Sequence, residues 1–283
     1  MKAVAPPAAK PLSLRGLTKR YASADGRIVE ALLPIDLDIA PGEFLVVVGP
    51  SGCGKSTLLN ILAGLTPPSA GEARVGEVLV EGPDIDRGMV FQDYALFPWL
   101  SVIGNVEFGL ERQGVPRRTR REIAMRYLEI VGLADFAGKR PRELSGGMKQ
   151  RVAIARTFAT EPSIVFMDEP FGALDALSRR HLQHELLRIW QQHRKTVVFI
   201  THSVVEAIYL GDRIVLMTAR PGRIKTVIPI RLPHPRDPTS DEFSAIERRI
   251  YADLDEELAK SFRMEVTEQS SMVGTRYSQS DRR

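Results

Sequence analysis

Gly49-Pro50-Ser51-Gly52-Cys53-Gly54-Lys55-Ser56-Thr57 fits the phosphate-binding pattern G-x-x-x-x-G-K-[ST]. Further along, the apolar run Ser163-Ile164-Val165-Phe166-Met167 closes on two carboxylates, Asp168 and Glu169. A triphosphate carries several negative charges at neutral pH, and the backbone N–H groups of a glycine-rich turn converge on such an anion, aided by the helix N-terminus behind them. Gly49, Gly52 and Gly54 keep side chains out of that approach, with Ser51 and Cys53 between them. Lys55 supplies a point charge for the β- and γ-phosphates, the Ser56 hydroxyl ligates Mg²⁺, and Thr57 contacts the α-phosphate region. Asp168, ending a buried strand, suits a water-mediated Mg²⁺ ligand. Glu169 is expected on the opposite face, because strand side chains alternate, and is the candidate to polarise an attacking water. The chemistry implied is hydrolysis of a nucleoside triphosphate.

Strand, loop and helix must follow in that order to hold the anion, and the flanking residues supply them. Glu43-Phe44-Leu45-Val46-Val47-Val48 is a β-branched run entering the glycines, as a buried strand should be. After Lys55, Leu58, Leu62 and Leu65 recur at helical spacing. Residues 12–48 alternate short apolar runs with turns, and residues 70–92 give strand-like segments broken by Gly82-Pro83. Residues 101–143 read as helical, with Ile123, Tyr127, Ile130 and Val131 on one face and Gly132 as a stop. Alternation then resumes: strand 163–168, helix 177–193 carrying Leu182, Leu186 and Trp190, strand 196–201, a short helix, and strand 213–218. That order predicts an α/β fold around a mostly parallel sheet. Thr239 and Glu242 have capping-box spacing ahead of a stripe of Phe243, Ile246, Ile250 and Leu254. From about Met264 the chain turns polar and is expected to be disordered. Residues 1–11, rich in Ala and Pro, read as a flexible leader and not as a signal peptide.

A chain of 283 residues can bury a large core. Its 43% hydrophobic and 26% charged residues are ordinary for a soluble protein, and a net charge of +4 makes no strong demand for nucleic acid. Cys53 is the only cysteine, so no internal disulfide forms, which points to an intracellular site. It fills a free position of the phosphate motif and reads as a spacer, although a helix N-terminus can lower a thiol pKa. No stretch approaches the about 18 apolar residues of a membrane helix, so any membrane role runs through a partner chain. His181 and His184, one helical turn apart, suit a metal but lack a third ligand. The basic cluster Pro116-Arg117-Arg118-Thr119-Arg120-Arg121, ahead of a helix, reads as a solvated face, with contact to anionic lipid headgroups as the alternative.

Leu144-Ser145-Gly146-Gly147-Met148-Lys149-Gln150-Arg151 resembles the signature of ATP-binding-cassette (ABC) ATPases. Ser145, Gly146 and Gly147 at a helix start form a second phosphate-binding nest, more than one ATP needs if the chain acts alone. In the family the two nests meet across a head-to-tail homodimer, so the resemblance implies an ATP held between one chain's phosphate loop and the other chain's signature. Gln92, in Val90-Phe91-Gln92-Asp93, matches the family glutamine that senses Mg²⁺ and the attacking water. Gly172-Ala173-Leu174-Asp175 matches the D-loop and brings in Asp175, His202 matches the histidine that contacts the γ-phosphate, and Tyr21 matches the aromatic that stacks on adenine. The resemblance covers about residues 12–230. It implies a P-loop NTPase (RecA-like) core with an antiparallel β subdomain and an α-helical subdomain at about 93–160. Residues 231–283 then form a C-terminal extension with one amphipathic helix. Met148 stands where Gln is commonest and Gly172 where Ser is, so a hydroxyl contact from the D-loop is lost. Both variants, together with Phe97-Pro98-Trp99-Leu100 and Ala219-Arg220-Pro221-Gly222-Arg223-Ile224, are similar to the branch that imports nitrate, sulfonates and taurine.

The resemblance therefore implies an ATP-hydrolysing subunit that powers uptake of a small anion or organosulfur solute. Its cofactors are ATP and Mg²⁺, and its site is peripheral, on the cytoplasmic face of the inner membrane. The implied partners are a second copy, transmembrane permease subunits and, indirectly, a solute-binding protein, with no nucleic acid. The unusually apolar Tyr94-Ala95-Leu96-Phe97-Pro98-Trp99-Leu100 is expected to serve partly as core and partly as a groove for a permease helix. The alternative is an ABC-type ATPase of DNA maintenance. Such proteins usually insert a long coiled coil between the two nests, and no sustained heptads lie between Lys55 and Ser145.

Overall fold

The computed structural model describes residues 8–22, 26–172 and 174–280, with side chains as far as residue 261. Most of the expected leader at 1–11, and Ala173 of the D-loop, lie outside the described residues. β1 (Leu12–Ala22) and β2 (Ile28–Ile39) form an antiparallel pair. They are two long strands of 11 and 12 residues, where the sequence predicts short runs broken by turns. The pairing slips between Leu14 and Leu17, which both face the core, and such a bulge breaks the two-residue alternation that would have announced a strand.

β3 (Phe44–Val48) is buried at every residue and leads through the phosphate loop into α1 (Lys55–Leu62). That helix ends at Ala63, so Leu65 falls outside the predicted stripe and is half exposed. β4 (Ala70–Val75) and β5 (Val78–Leu79) complete a four-stranded antiparallel sheet in the order β2-β1-β4-β5. β6 (Arg87–Val90) precedes a group of three helices, α2 (Val102–Arg112), α3 (Arg117–Ile130) and α4 (Gly146–Ala159), with short 3₁₀ turns at Ala134–Phe136 and Pro141–Glu143. Then come β7 (Ile164–Asp168), α5 (Ala176–His193), β8 (Thr196–Ile200), α6 (Val204–Leu210), β9 (Arg213–Met217), β10 (Ile224–Pro229) and α7 (Asp241–Ser280). A six-stranded sheet runs β10-β9-β3-β8-β7-β6, parallel except for the edge strand β10, which the sequence pattern did not announce.

Strand alternation sorts this sheet between two cores. Phe44, Val46, Val165, Met167 and Phe199 face the side that holds Trp190 and the helical group. Leu45, Val47, Phe166, Val198 and Ile200 face α1 and the antiparallel sheet. Asp168 shares the parity of Phe166, so the end of β7 presents it towards α1, which packs on β7 and β8.

α7 is no appendage. Phe243, Ile250 and Leu254 are buried in the same core as Phe44 and Trp190, and Ile246 packs against it. Its cap is Ser240, whose Oγ accepts the Phe243 N–H at 3.2 Å. The predicted cap, Thr239, instead donates its hydroxyl to Asp237 at 2.7 Å. Arg236 is buried just before the helix and donates to the Gly211 carbonyl at 2.7 Å and to Ile208, fastening the connection to the end of α6. α7 runs on to Ser280, beyond the point near Met264 where polarity predicts disorder. Among the described residues no helix is long and apolar enough to cross a membrane.

Candidate functional site

Gly52 and Gly54 take φ of 73° and 93°, the left-handed region that side chains disfavour. A β-carbon on Gly54 would also stand 2.6 Å from Leu32. Gly54 caps α1 without a side chain, which leaves the first N–H groups of the helix for whatever fills the cleft before it. Lys55 is nearly buried, and its Nζ donates to the carbonyls of Gly49 at 2.8 Å and Pro50 at 2.9 Å. Cys53 is fully buried, with Sγ 3.9 Å from that Nζ. Burial pushes the thiol pKa up and outweighs the downward pull of Lys55, so the helix N-terminus does not activate it.

Tyr21, Ser51, Lys55, Thr57, Gln92 and Glu169 line one cleft of about 510 Å³, which Gly52, Gly54 and Ser56 share. Tyr21 is 42% exposed near the end of β1, and the Lys19 ammonium lies 5.1 Å from its ring centre. Gln92 is exposed just past β6. Asp168 is nearly buried, and burial raises its pKa, opposed by a hydrogen bond with Ser56 and assisted by the charge of Glu169. Its Oδ1 is buried with no hydrogen-bond partner among the described residues.

Glu169 lies beyond the last strand residue and takes φ of 44°, with its N–H donating to the Ile200 carbonyl at 3.0 Å. A left-handed turn aims it, and strand alternation does not. Its Oε2 lies 3.3 Å from His202 Nδ1. The turn carrying His202 is held by a residue the sequence reading missed. Glu206 Oε2 accepts the Thr201 hydroxyl at 2.6 Å, and Thr201 Oγ1 accepts the Ser203 N–H at 3.0 Å. Burial raises the Glu206 pKa, partly offset by Thr201, Arg179, His202 and Gln183. Ser203 and Glu206 have the spacing of a capping box, a signal that was available, yet only half the box forms: Ser203 Oγ accepts the Glu206 N–H at 3.3 Å and the Glu206 side chain turns to Thr201.

The remaining sequence candidates are not in this cleft. Ser145 caps α4, its Oγ accepting the Met148 N–H at 3.3 Å, and is exposed. A β-carbon on Gly146 would meet the Tyr94 hydroxyl at 2.9 Å, and one on Gly147 would meet Leu174 at 2.9 Å. Asp175 caps α5, with Oδ1 accepting the Ser178 N–H at 3.0 Å. Within one chain the Ser145–Gly147 turn and the phosphate loop therefore form separate surfaces.

Residues 32–172 match the family model described as ABC transporter. An uncharacterized ABC transporter ATP-binding protein of Methanocaldococcus jannaschii is 53% identical over 252 residues, covering 89% of this chain and 94% of that protein. The taurine import ATP-binding protein of Roseobacter denitrificans is 49% identical over 213 residues, covering 75% and 80%. The nitrate import ATP-binding protein of a Synechocystis species is 42% identical over 265 residues, covering 93% and 99%. Among solved structures, a dimeric ATP-binding cassette in a post-hydrolysis state bound to ADP and Pi superposes with a TM-score of 0.71 at 34% identity, covering 78% of this chain and all of that one.

Proposed function

This chain belongs to the ABC transporter family, and we propose that it is the ATP-hydrolysing subunit of an importer whose solute is a small oxyanion or organosulfur compound. One observation carries the reading: the two phosphate-binding turns stand apart on one chain, so a complete site needs a second copy turned head to tail. The dimeric cassette that superposes on this chain supports that assembly. Relatives titled for taurine and nitrate import support the solute class and argue for transport over DNA maintenance.

Residues 12–230 form the ATPase domain in this reading. Tyr21 stacks on adenine, worth about 1–3 kcal/mol by analogy with bases on aromatic side chains. The loop N–H groups and Lys55 hold the phosphates, Glu169 takes a proton from the attacking water, and His202 holds the γ-phosphate. Ser56, Asp168 and Gln92 would hold Mg²⁺, and the buried Oδ1 of Asp168, with no hydrogen-bond partner among the described residues, fits a cation. When bound, the ion neutralises charge developing on the phosphate oxygens. Ser145, Gly146, Gly147 and Asp175 act on the nucleotide of the partner copy.

The permease docks beside the segment after Gln92. Phe97 packs against Phe108 at 4.4 Å and Trp99 at 5.6 Å between ring centres, Trp99 is 66% exposed, and Phe91, Phe97 and Phe108 line an open groove. In this reading the protein sits peripherally on the cytoplasmic face of the membrane, with a solute-binding protein delivering cargo on the far side. The test is hydrolysis rate per chain as the protein is diluted. It should fall as dimers separate, and a constant rate in a strictly monomeric sample would remove the shared site and the importer assignment with it.

A further inference from the structure

Between β9 and β10, residues 218–223 fold into a tight turn laid on the phosphate loop. Thr218 N–H donates to the Arg223 carbonyl at 2.9 Å, while Thr218 Oγ1 donates to the Pro221 carbonyl at 3.1 Å and accepts the Arg223 N–H at 3.2 Å. Gly222 ties the turn to β2: its N–H donates to the Ala31 carbonyl at 3.0 Å, and its carbonyl accepts the Leu33 N–H at 2.9 Å. A β-carbon on Gly222 would lie 1.9 Å from the Cys53 carbonyl oxygen, so the turn and the phosphate loop touch backbone to backbone.

Arg220 projects from this turn into the cleft that Lys55 and Glu169 line. Its Nη2 lies 3.2 Å from where a β-carbon on Gly52 would stand. The side chain is exposed and has no hydrogen bond or ion pair among the described residues. Lys55 is anchored in the loop by two carbonyls and brings a point charge. A guanidinium instead offers a planar fork that pairs with phosphate oxygens two at a time.

The turn is held from its other side by α7. Glu257 is 1% exposed, and its Oε2 accepts the N–H of Ala219, 38 residues earlier and next to Arg220, at 2.9 Å. Its Oε1 pairs with Lys260 at 2.8 Å and Lys225 at 3.2 Å. We infer that Arg220 is a further nucleotide-binding residue, pairing with phosphate oxygens on the Gly52 side of the loop, and that Glu257 of α7 is the positioning residue that sets it there. The C-terminal helix is then part of the nucleotide site. This inference rests on the ATPase reading above.

The test is titration of the full chain with ATP, following binding and steady-state hydrolysis. Arg220→Ala should raise Kd and KM for ATP about tenfold, the loss expected of a hydrogen bond to a charged group, with kcat falling less than KM rises. Arg220→Lys should recover part, since it keeps the charge without the fork. Glu257→Ala should weaken ATP severalfold, Glu257→Gln should recover part of that by keeping an acceptor for Ala219, and the double Ala variant should bind no worse than Arg220→Ala alone. Wild-type affinity in Arg220→Ala overturns the assignment of Arg220, and additive losses in the double variant overturn the positioning role of Glu257. Lys55→Ala is the control. If it too binds ATP normally, the nucleotide site itself is misread; if it alone loses binding, only this inference fails.

Discussion

Glu169 and Asp168 are neighbours in sequence but are held by different physics. Asp168 ends a strand, and its burial favours the protonated form unless a cation is near. Glu169 sits at a positive φ that costs a non-glycine residue about 1–3 kcal/mol and persists because the surroundings over-determine it. Here those surroundings are its N–H bond to Ile200, and the Gly172 N–H that its own carbonyl accepts at 3.1 Å. The strained turn puts a carboxylate against His202, where hydrolysis would need a base. Glu169→Gln keeps the volume and removes the basicity. It should still bind ATP and form an ATP-dependent dimer, while single-turnover hydrolysis falls by about 10²–10⁴. Hydrolysis at the wild-type rate would take the base role from Glu169.

α7 shows how an element is docked by two kinds of contact with different pH behaviour. Its apolar stripe does not titrate. Hydrogen bonds from Lys225 and Lys260 hold Glu256 down to about 2. Glu257 is pushed up by burial, but Lys260, the Ala219 N–H and Lys225 together leave it below the ordinary 4.5. Both carboxylates are thus depressed in the fold, so their share of the docking is present above 4.5 and is lost as pH falls through the folded values, about 2 for Glu256. Asp168 and Glu206 are raised by burial and act with the opposite sign, so a global melt mixes the two effects. Hydrogen exchange read locally on α7 separates them. Its amides should lose protection as pH drops below 4.5, and Glu257→Gln should flatten that dependence; an identical profile in the variant would contradict the polar clamp.

The same helix marks the limit of what the residues disclose by order alone. Strand β3, the phosphate loop and α1 are legible because motif and apolar period lie within one short stretch. The stripe from Phe243 to Leu254 is legible for the same reason. Its cap is displaced to Ser240 because Asp237 competes for Thr239, which no spacing rule weighs. β1 and β2 are hidden by bulges that break their alternation. Glu257 and Arg220 escape because each acts through a contact set by the tertiary fold, whereas Glu206 is signalled by its spacing from Ser203 but turns its side chain to Thr201. Arg220 stood out in the sequence only as part of a stretch similar to one branch, and its place at the cleft follows from Gly222 meeting Cys53.

At the scale of the molecule, the second phosphate turn and the loop after Gln92 are linked mechanically. Arg156 of α4, whose first residues follow Ser145, donates to the carbonyls of Ala95 at 2.6 Å and Tyr94 at 3.1 Å. A shift of that helix would therefore pull on the segment proposed to face the permease. Swinging such a dimer from 1:99 to 99:1 closed takes about 5.5 kcal/mol of differential affinity, which two shared ATP molecules would divide.

The lone thiol gives this machine a clock. Cys53 belongs to the phosphate loop itself and its side chain is sealed inside, so an alkylating reagent can reach it only when that region springs open. Labelling speed then counts openings, with no competing sulfhydryl to blur the signal. ATP at ten times its Kd should slow the count about tenfold, and a rate indifferent to nucleotide would mean that the lid over Cys53 and the grip on phosphate are separate parts.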